Sequence, residues 1–101
     1  MDERYVVRLM PHAFMDLDEI YEYIANNLSE PETALEIVDA IESAILSLEV
    51  MPDRCPMRKA GEFSGKGYRQ IFVKNYIVVF RIDKSLKQVV VVTVRYSHSQ
   101  F

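Results

Sequence analysis

The sequence is short of the residues that staple, chelate or anchor. It holds one cysteine (Cys55), two histidines, three glycines and four prolines in 101 residues. A lone cysteine excludes an internal disulfide framework and suits a reducing cytoplasm. The histidines and the cysteine lie far apart with no ligand spacing, so no metal site is expected, and no cofactor is either. Long hydrophobic runs are missing too. The longest, Tyr76 to Phe80 and Val89 to Val92, fall far short of the ~20 residues of a membrane helix. The N-terminal Met1-Asp2-Glu3-Arg4 puts acids where a signal peptide would carry positive charge. These absences predict a soluble, cytoplasmic protein with no membrane partner.

What is present fits one domain spanning residues 1–101, half of it hydrophobic. Such a chain buries roughly two-thirds of its unfolded surface, enough for one core. The net charge of −3 hides a sharp division. Residues 1–51 carry two basic residues, Arg4 and Arg8, against twelve acids. Residues 52–101 carry ten basic residues against three acids, Asp53, Glu62 and Asp83. A dipolar chain of this kind can present a cationic surface to an anionic partner, although the same division also serves solubility alone.

The pattern changes period along the chain. Arg4 to Met10 is a short β-rich run ended by Pro11, which predicts a first strand. Phe14, Leu17, Tyr21, Ile24 and Leu28 then recur at helical spacing, and Asn26-Asn27 is a suitable helix end. Ser29-Glu30-Pro31-Glu32 reads as a capping box opening a second helix. Ala34, Ile37, Val38, Ile41, Ala44, Ile45 and Leu48 form its stripe, and Pro52 stops it. So short a joint makes the two helices an antiparallel hairpin.

Residues 53–67 hold all three glycines and read as an irregular connection. Three strands follow, Tyr68–Val73, Tyr76–Ile82 and Gln88–Tyr96, with turns at Lys74-Asn75 and Asp83–Lys87. The expected architecture is α+β, a four-stranded antiparallel sheet in β-α-α-β-β-β order with the helical hairpin on one face. The last two strands are apolar on both pleat faces. The face away from the hairpin therefore needs a cover, either a protein partner or second copy, or the chain's own loops.

Particular residues then bring a family to view. Asp18-Glu19-Ile20-Tyr21-Glu22-Tyr23-Ile24, Gly67-Tyr68-Arg69 entering a strand, Tyr76 to Ile82, and Val94-Arg95-Tyr96-Ser97-His98 stand in order and at suitable spacing. Together they resemble the RelE/ParE toxin family of bacterial type II toxin–antitoxin modules over nearly the whole chain. The resemblance implies a growth-arresting toxin with one of two targets. RelE-like members cut mRNA in the ribosomal A site, whereas ParE-like members inhibit DNA gyrase without catalysis. Either kind is neutralised by a cognate antitoxin, here expected on the open sheet face, in a toxin–antitoxin hetero-oligomer.

RNA cleavage through the ribose 2′-OH needs a base, an acid and cations at the phosphorane. The resemblance offers His98, Arg69 and Lys59 as catalytic candidates, and Arg58, Arg81 and Arg95 as nucleic-acid or target-binding ones. A histidine can serve as either acid or base near neutral pH, which is what makes His98 a candidate. The chain also departs from the interferase pattern. Ile77 stands where many interferases have arginine, and the tail Tyr96-Ser97-His98-Ser99-Gln100-Phe101 lacks the usual arginines and aspartate. The incomplete set tilts the expectation to the ParE-like, gyrase-inhibiting mode, with the interferase and an inactive antitoxin-binding relic as alternatives. Tyr21, Tyr23 and Tyr68 read as packing residues and Cys55 as inert.

Overall fold

The structure, a computed structural model, describes residues 4–98. Pro11 divides the first strand, β1 (Val6–Leu9), from the first helix, α1 (Pro11–Glu22). Proline is well placed there, since the first helical residue needs no N–H partner. The helix widens into a π-turn over Tyr23–Asn27. Ser29 then takes a left-handed conformation (φ 56°), and the Glu30 N–H donates to the Ile24 carbonyl at 3.1 Å. Helix α2 (Pro31–Leu46) follows. The expected capping box does not form, because Ser29 is used to close the preceding turn. Glu30 is the N-cap, and its carboxylate accepts from the Thr33 hydroxyl at 3.1 Å instead.

The meander appears where its turns place it, as β2 (Arg69–Val73), β3 (Tyr76–Asp83) and β4 (Gln88–Tyr96). Lys74 supplies a left-handed residue (φ 56°) to the first turn. In the second, Asp83 accepts from the Ser85 hydroxyl at 2.8 Å and the Leu86 N–H at 3.1 Å. The sheet order is β1-β4-β3-β2. It is mixed rather than wholly antiparallel, because β1 pairs with β4 in parallel, Val6 opposite Gln88 and Leu9 opposite Val91. The helical hairpin and the connection after it carry the chain from β1 to β2 at the far edge, and the two reversals of the meander bring β4 back beside β1 in the same direction.

The hairpin covers one sheet face. Leu17, Ile41, Ile45 and Leu48 pack with Val78, Phe80, Val89, Val91 and Val94 in one buried cluster. Val91 and Val94 share this face although they stand three positions apart, an odd spacing along a strand. An irregularity between Val79 and Phe80 explains it: Thr93 pairs with Val79 and Val91 with Phe80, so Val92 is an extra residue.

Helix α1 is rotated from the face its apolar spacing suggests. Ala13, Asp16, Leu17 and Ile24 are buried, while Phe14 and Leu28 are about half exposed. Asp16 accounts for the rotation. β1 pairs only with Gln88–Val91, so the edge of β4 beyond it has no strand on that side. The Asp16 carboxylate fills the gap, its Oδ2 accepting from the Val94 N–H at 3.0 Å and the Thr93 hydroxyl at 2.5 Å. A buried carboxylate is tolerated here because donors surround it.

Candidate functional site

The second sheet face carries the cationic candidates, and the chain's own connection crosses part of it. Met57 bridges Arg69 beside β2, the Gln70 N–H donates to the Pro56 carbonyl at 3.1 Å, and the Arg58 N–H to the Tyr68 carbonyl at 2.8 Å. From there the loop reaches β4, where Glu62 faces Arg95 at 3.7 Å. Ile77 and Val79 of β3 lie between these anchors and are buried. Of the two covers the sequence leaves open, the loop supplies this one, so the open apolar face is smaller than expected. Phe72 and Val6 remain exposed at its sides. The loop can fold back because Gly67 enters β2 at φ 83°, a conformation costly for residues with a Cβ.

The guanidiniums near this loop are committed to holding it. Arg58 Nε donates to the Glu62 carbonyl and its Nη1 to Gln70 Oε1, both at 2.8 Å. Arg69 turns to the hairpin side of the sheet and donates to the carbonyls of Cys55 (2.7 Å) and Asp53 (3.3 Å). Arg95 bonds Thr93 Oγ1 through Nε at 3.0 Å and faces Glu62. The Cys55 thiol is pushed above its ordinary pKa by burial, against the opposing pull of Arg54 and Arg69. Cys55 is thus a small buried packing group, as the sequence suggests.

Two cationic candidates stand clear of such bonds. Arg81 is exposed on the second face, near enough to Asp83 to help hold that carboxyl below its ordinary range, after the Ser85 and Leu86 hydrogen bonds. Lys59 is exposed on the loop, beside a hollow of about 600 Å³ that also touches Phe72, Ile77 and Ser97. His98 is exposed at the last described position, its ring 5.1 Å from that of Tyr96. Ser99, Gln100 and Phe101 lie outside the described residues.

The three catalytic candidates are not gathered round one point. Arg69 pairs with Phe80, whereas Tyr96, two positions before His98, pairs with Tyr76, four residues earlier in β3. Four strand residues span about 13 Å. Arg69 also points to the opposite sheet face from the hollow beside Lys59. Only Lys59 and the chain segment entering His98 share a neighbourhood. No grouping of His, Cys, Asp and Glu able to hold a metal occurs among the described residues. No described helix is long and apolar enough to cross a membrane.

Sequence reasoning missed a second feature, at the end of the sheet nearest the π-turn. Tyr23, read from sequence as packing, is about half exposed there. It borders a groove of about 640 Å³ between the hairpin and the sheet, together with Leu28, Tyr76 and Tyr96. Tyr76 and Tyr96 meet edge to face at 5.7 Å. Burial raises the Tyr76 phenol's pKa, and the nearby Tyr96 and Tyr23 phenols raise it further. The only hint in the sequence was Tyr76 and Tyr96 on neighbouring strands.

The family model of the ParE toxin of the type II toxin–antitoxin system parDE matches residues 7–101. No curated protein matches. Among solved structures, the chromosomal ParDE system of P. aeruginosa superposes with a TM-score of 0.77 at 21% identity, covering 93% of this chain and 97% of that one. The RelBE2 toxin–antitoxin complex of Mycobacterium tuberculosis gives 0.63 at 22% identity, with 92% and 91% covered. A free mutant of the E. coli toxin RelE gives 0.59 at 11% identity, with 94% and 85% covered. At these identities the likeness to solved structures is one of fold.

Proposed function

Because the chain belongs to the ParE toxin family of type II toxin–antitoxin systems, we propose that it arrests growth by inhibiting DNA gyrase, without catalysis, and is neutralised by a cognate antitoxin. The observation that carries the gyrase reading over RNA cleavage is the employment of its arginines. Metal-free cleavage needs cations free to stabilise a pentavalent phosphorane. Arg69 instead donates to two backbone carbonyls, and Arg58 and Arg95 hold the loop through Glu62. Swinging Arg69 to a phosphate would leave the Cys55 and Asp53 carbonyls without its donors. A binding mode makes no such demand. Arg81 and Lys59, exposed on the second face and its loop, are free to contact a large protein target, while Arg58 and Arg95 hold the surface in shape.

The neutralising partner follows from the company the fold keeps, since the solved likenesses include toxin–antitoxin complexes. The test is growth arrest on induction of the chain alone, compared with His98→Ala and Arg81→Ala variants. Arrest that survives His98→Ala, weakens with Arg81→Ala and is lifted by a gyrase subunit supplied in excess supports the reading. Arrest abolished by His98→Ala, with message ends appearing in codon phase, would instead make the chain a ribosome-dependent interferase using His98, Arg69 and Lys59. No arrest from a folded chain that still binds antitoxin would make it a binding relic.

A further inference from the structure

Three tyrosines from distant parts of the chain meet at one end of the groove beside the π-turn. Tyr23 leaves the hairpin, Tyr76 opens β3 and Tyr96 closes β4. Tyr76 meets Tyr96 edge to face, and Tyr23 shares the groove wall with both. The groove holds about 640 Å³, room for several side chains. Tyr23, Leu28 and Tyr96 line it while 54%, 49% and 46% exposed. That is costly apolar surface to leave in water.

The charges at the rim decide what can cover it. Asp16 is spent on Val94 and Thr93, and Arg95, the one cation in the lining, faces Glu62. Glu19 and Glu30 remain, both exposed, the Glu30 carboxylate accepting from the Thr33 hydroxyl. An apolar partner without positive charge would bury these carboxylates unpaired, which is costly. Nucleic acid would bring phosphates against them. Tyrosine faces and carboxylates together select a cation on an apolar stem, a lysine or an arginine. The strongly acidic first half of the chain, to which the hairpin belongs, draws such a segment in at long range.

We propose that the antitoxin inserts an apolar segment into this groove and places one lysine or arginine against Tyr23, Tyr76 and Tyr96, facing Glu19 and Glu30. The assignment rests on the reading of the chain as an antitoxin-neutralised toxin. It moves the main contact from the loop-crossed sheet face to the junction of hairpin and sheet.

The test uses purified full-length chain and its cognate antitoxin, with affinity measured by titration calorimetry. Tyr23→Ala and Glu19→Lys each weaken binding tenfold or more, while Glu36→Lys, exposed on α2 outside the groove lining, stays within twofold of native. A photocrosslinking phenylalanine analogue replacing Tyr23 joins the antitoxin within a residue or two of a Lys or Arg. Circular dichroism of each variant shows that the fold is kept. Native-like affinity in both groove variants, or a crosslink to an uncharged stretch, overturns the proposal while leaving neutralisation intact. Unchanged antitoxin affinity with lost toxicity overturns it as well and gives the groove to the target. A native chain that neither arrests growth nor binds antitoxin overturns the functional reading beneath it.

Discussion

Asp16 should be the most stability-sensitive polar residue of the fold. It is 8% exposed, and its Oδ2 accepts both the Val94 N–H and the Thr93 hydroxyl on the edge that β1 leaves uncovered. Its other oxygen lies 3.4 Å from His12 Nε2. Hydrogen bonds to a charged acceptor contribute about 1.5–3 kcal/mol each, and an orphaned buried donor costs about 1–3 kcal/mol. Asp16→Ala removes the acceptor, strands two donors and opens a small void, so a loss of about 3–5 kcal/mol follows. For a domain of this size that is a large part of the ~5–15 kcal/mol that holds it folded. It would lower Tm by roughly 12–25 °C, or leave the chain partly unfolded. Thr93→Val strands no buried backbone donor and should cost about 1–2 kcal/mol. The two changes share an interaction, so the double variant should cost less than their sum. Urea denaturation followed by circular dichroism measures all three. A loss under about 1 kcal/mol for Asp16→Ala would refute the edge-capping role, because exposed carboxylates cost about that little.

Arg69→Ala should lower stability by about 1–3 kcal/mol and make residues 53–68 more sensitive to limited proteolysis, since two carbonyls lose their donor. Unchanged cleavage would show that the loop is held without it. Cys55 should resist iodoacetamide at pH 8 in the native chain and react quickly in urea, because burial holds the thiol protonated. With its folded pKa raised, any stability it contributes is complete below the ordinary thiol value and lost as pH rises through the folded one. Asp83 should titrate below an ordinary aspartate by carboxyl-carbon NMR, and Ser85→Ala should move it back up, since the Ser85 hydroxyl is the largest cause of the shift. Its contribution to the turn is therefore present above the ordinary carboxylate value and lost as pH falls through the lowered one. An unchanged midpoint in Ser85→Ala would assign the shift to the backbone instead.

The hairpin was legible because its second stripe, Ala34 to Leu48, is long and regular, and because prolines at 11, 31 and 52 mark its boundaries. The meander was legible from its turns. Strand direction was not, because whether β1 runs with or against β4 is set by the path of the crossover and not by any residue in either strand. The rotation of α1 was hidden for a related reason. Asp16 looks like an outward polar residue until the short β1 leaves Val94 without a partner. At the candidate site, the residue types were visible but their commitments were not. Arg58 and Arg69 look like free cations in a string, and only the folded loop shows them bonded to carbonyls. The tyrosine cluster draws on residues 23, 76 and 96, which no local pattern connects.

The most direct measurement adds the purified chain to DNA gyrase, ATP and relaxed plasmid, with a translation reaction programmed by one mRNA run beside it. Supercoiling inhibited in proportion to the chain, relieved by cognate antitoxin and accompanied by an intact message, is the predicted result. Undisturbed supercoiling with ribosome-dependent, codon-phased cuts that vanish in His98→Ala would contradict the account and restore catalysis to this fold.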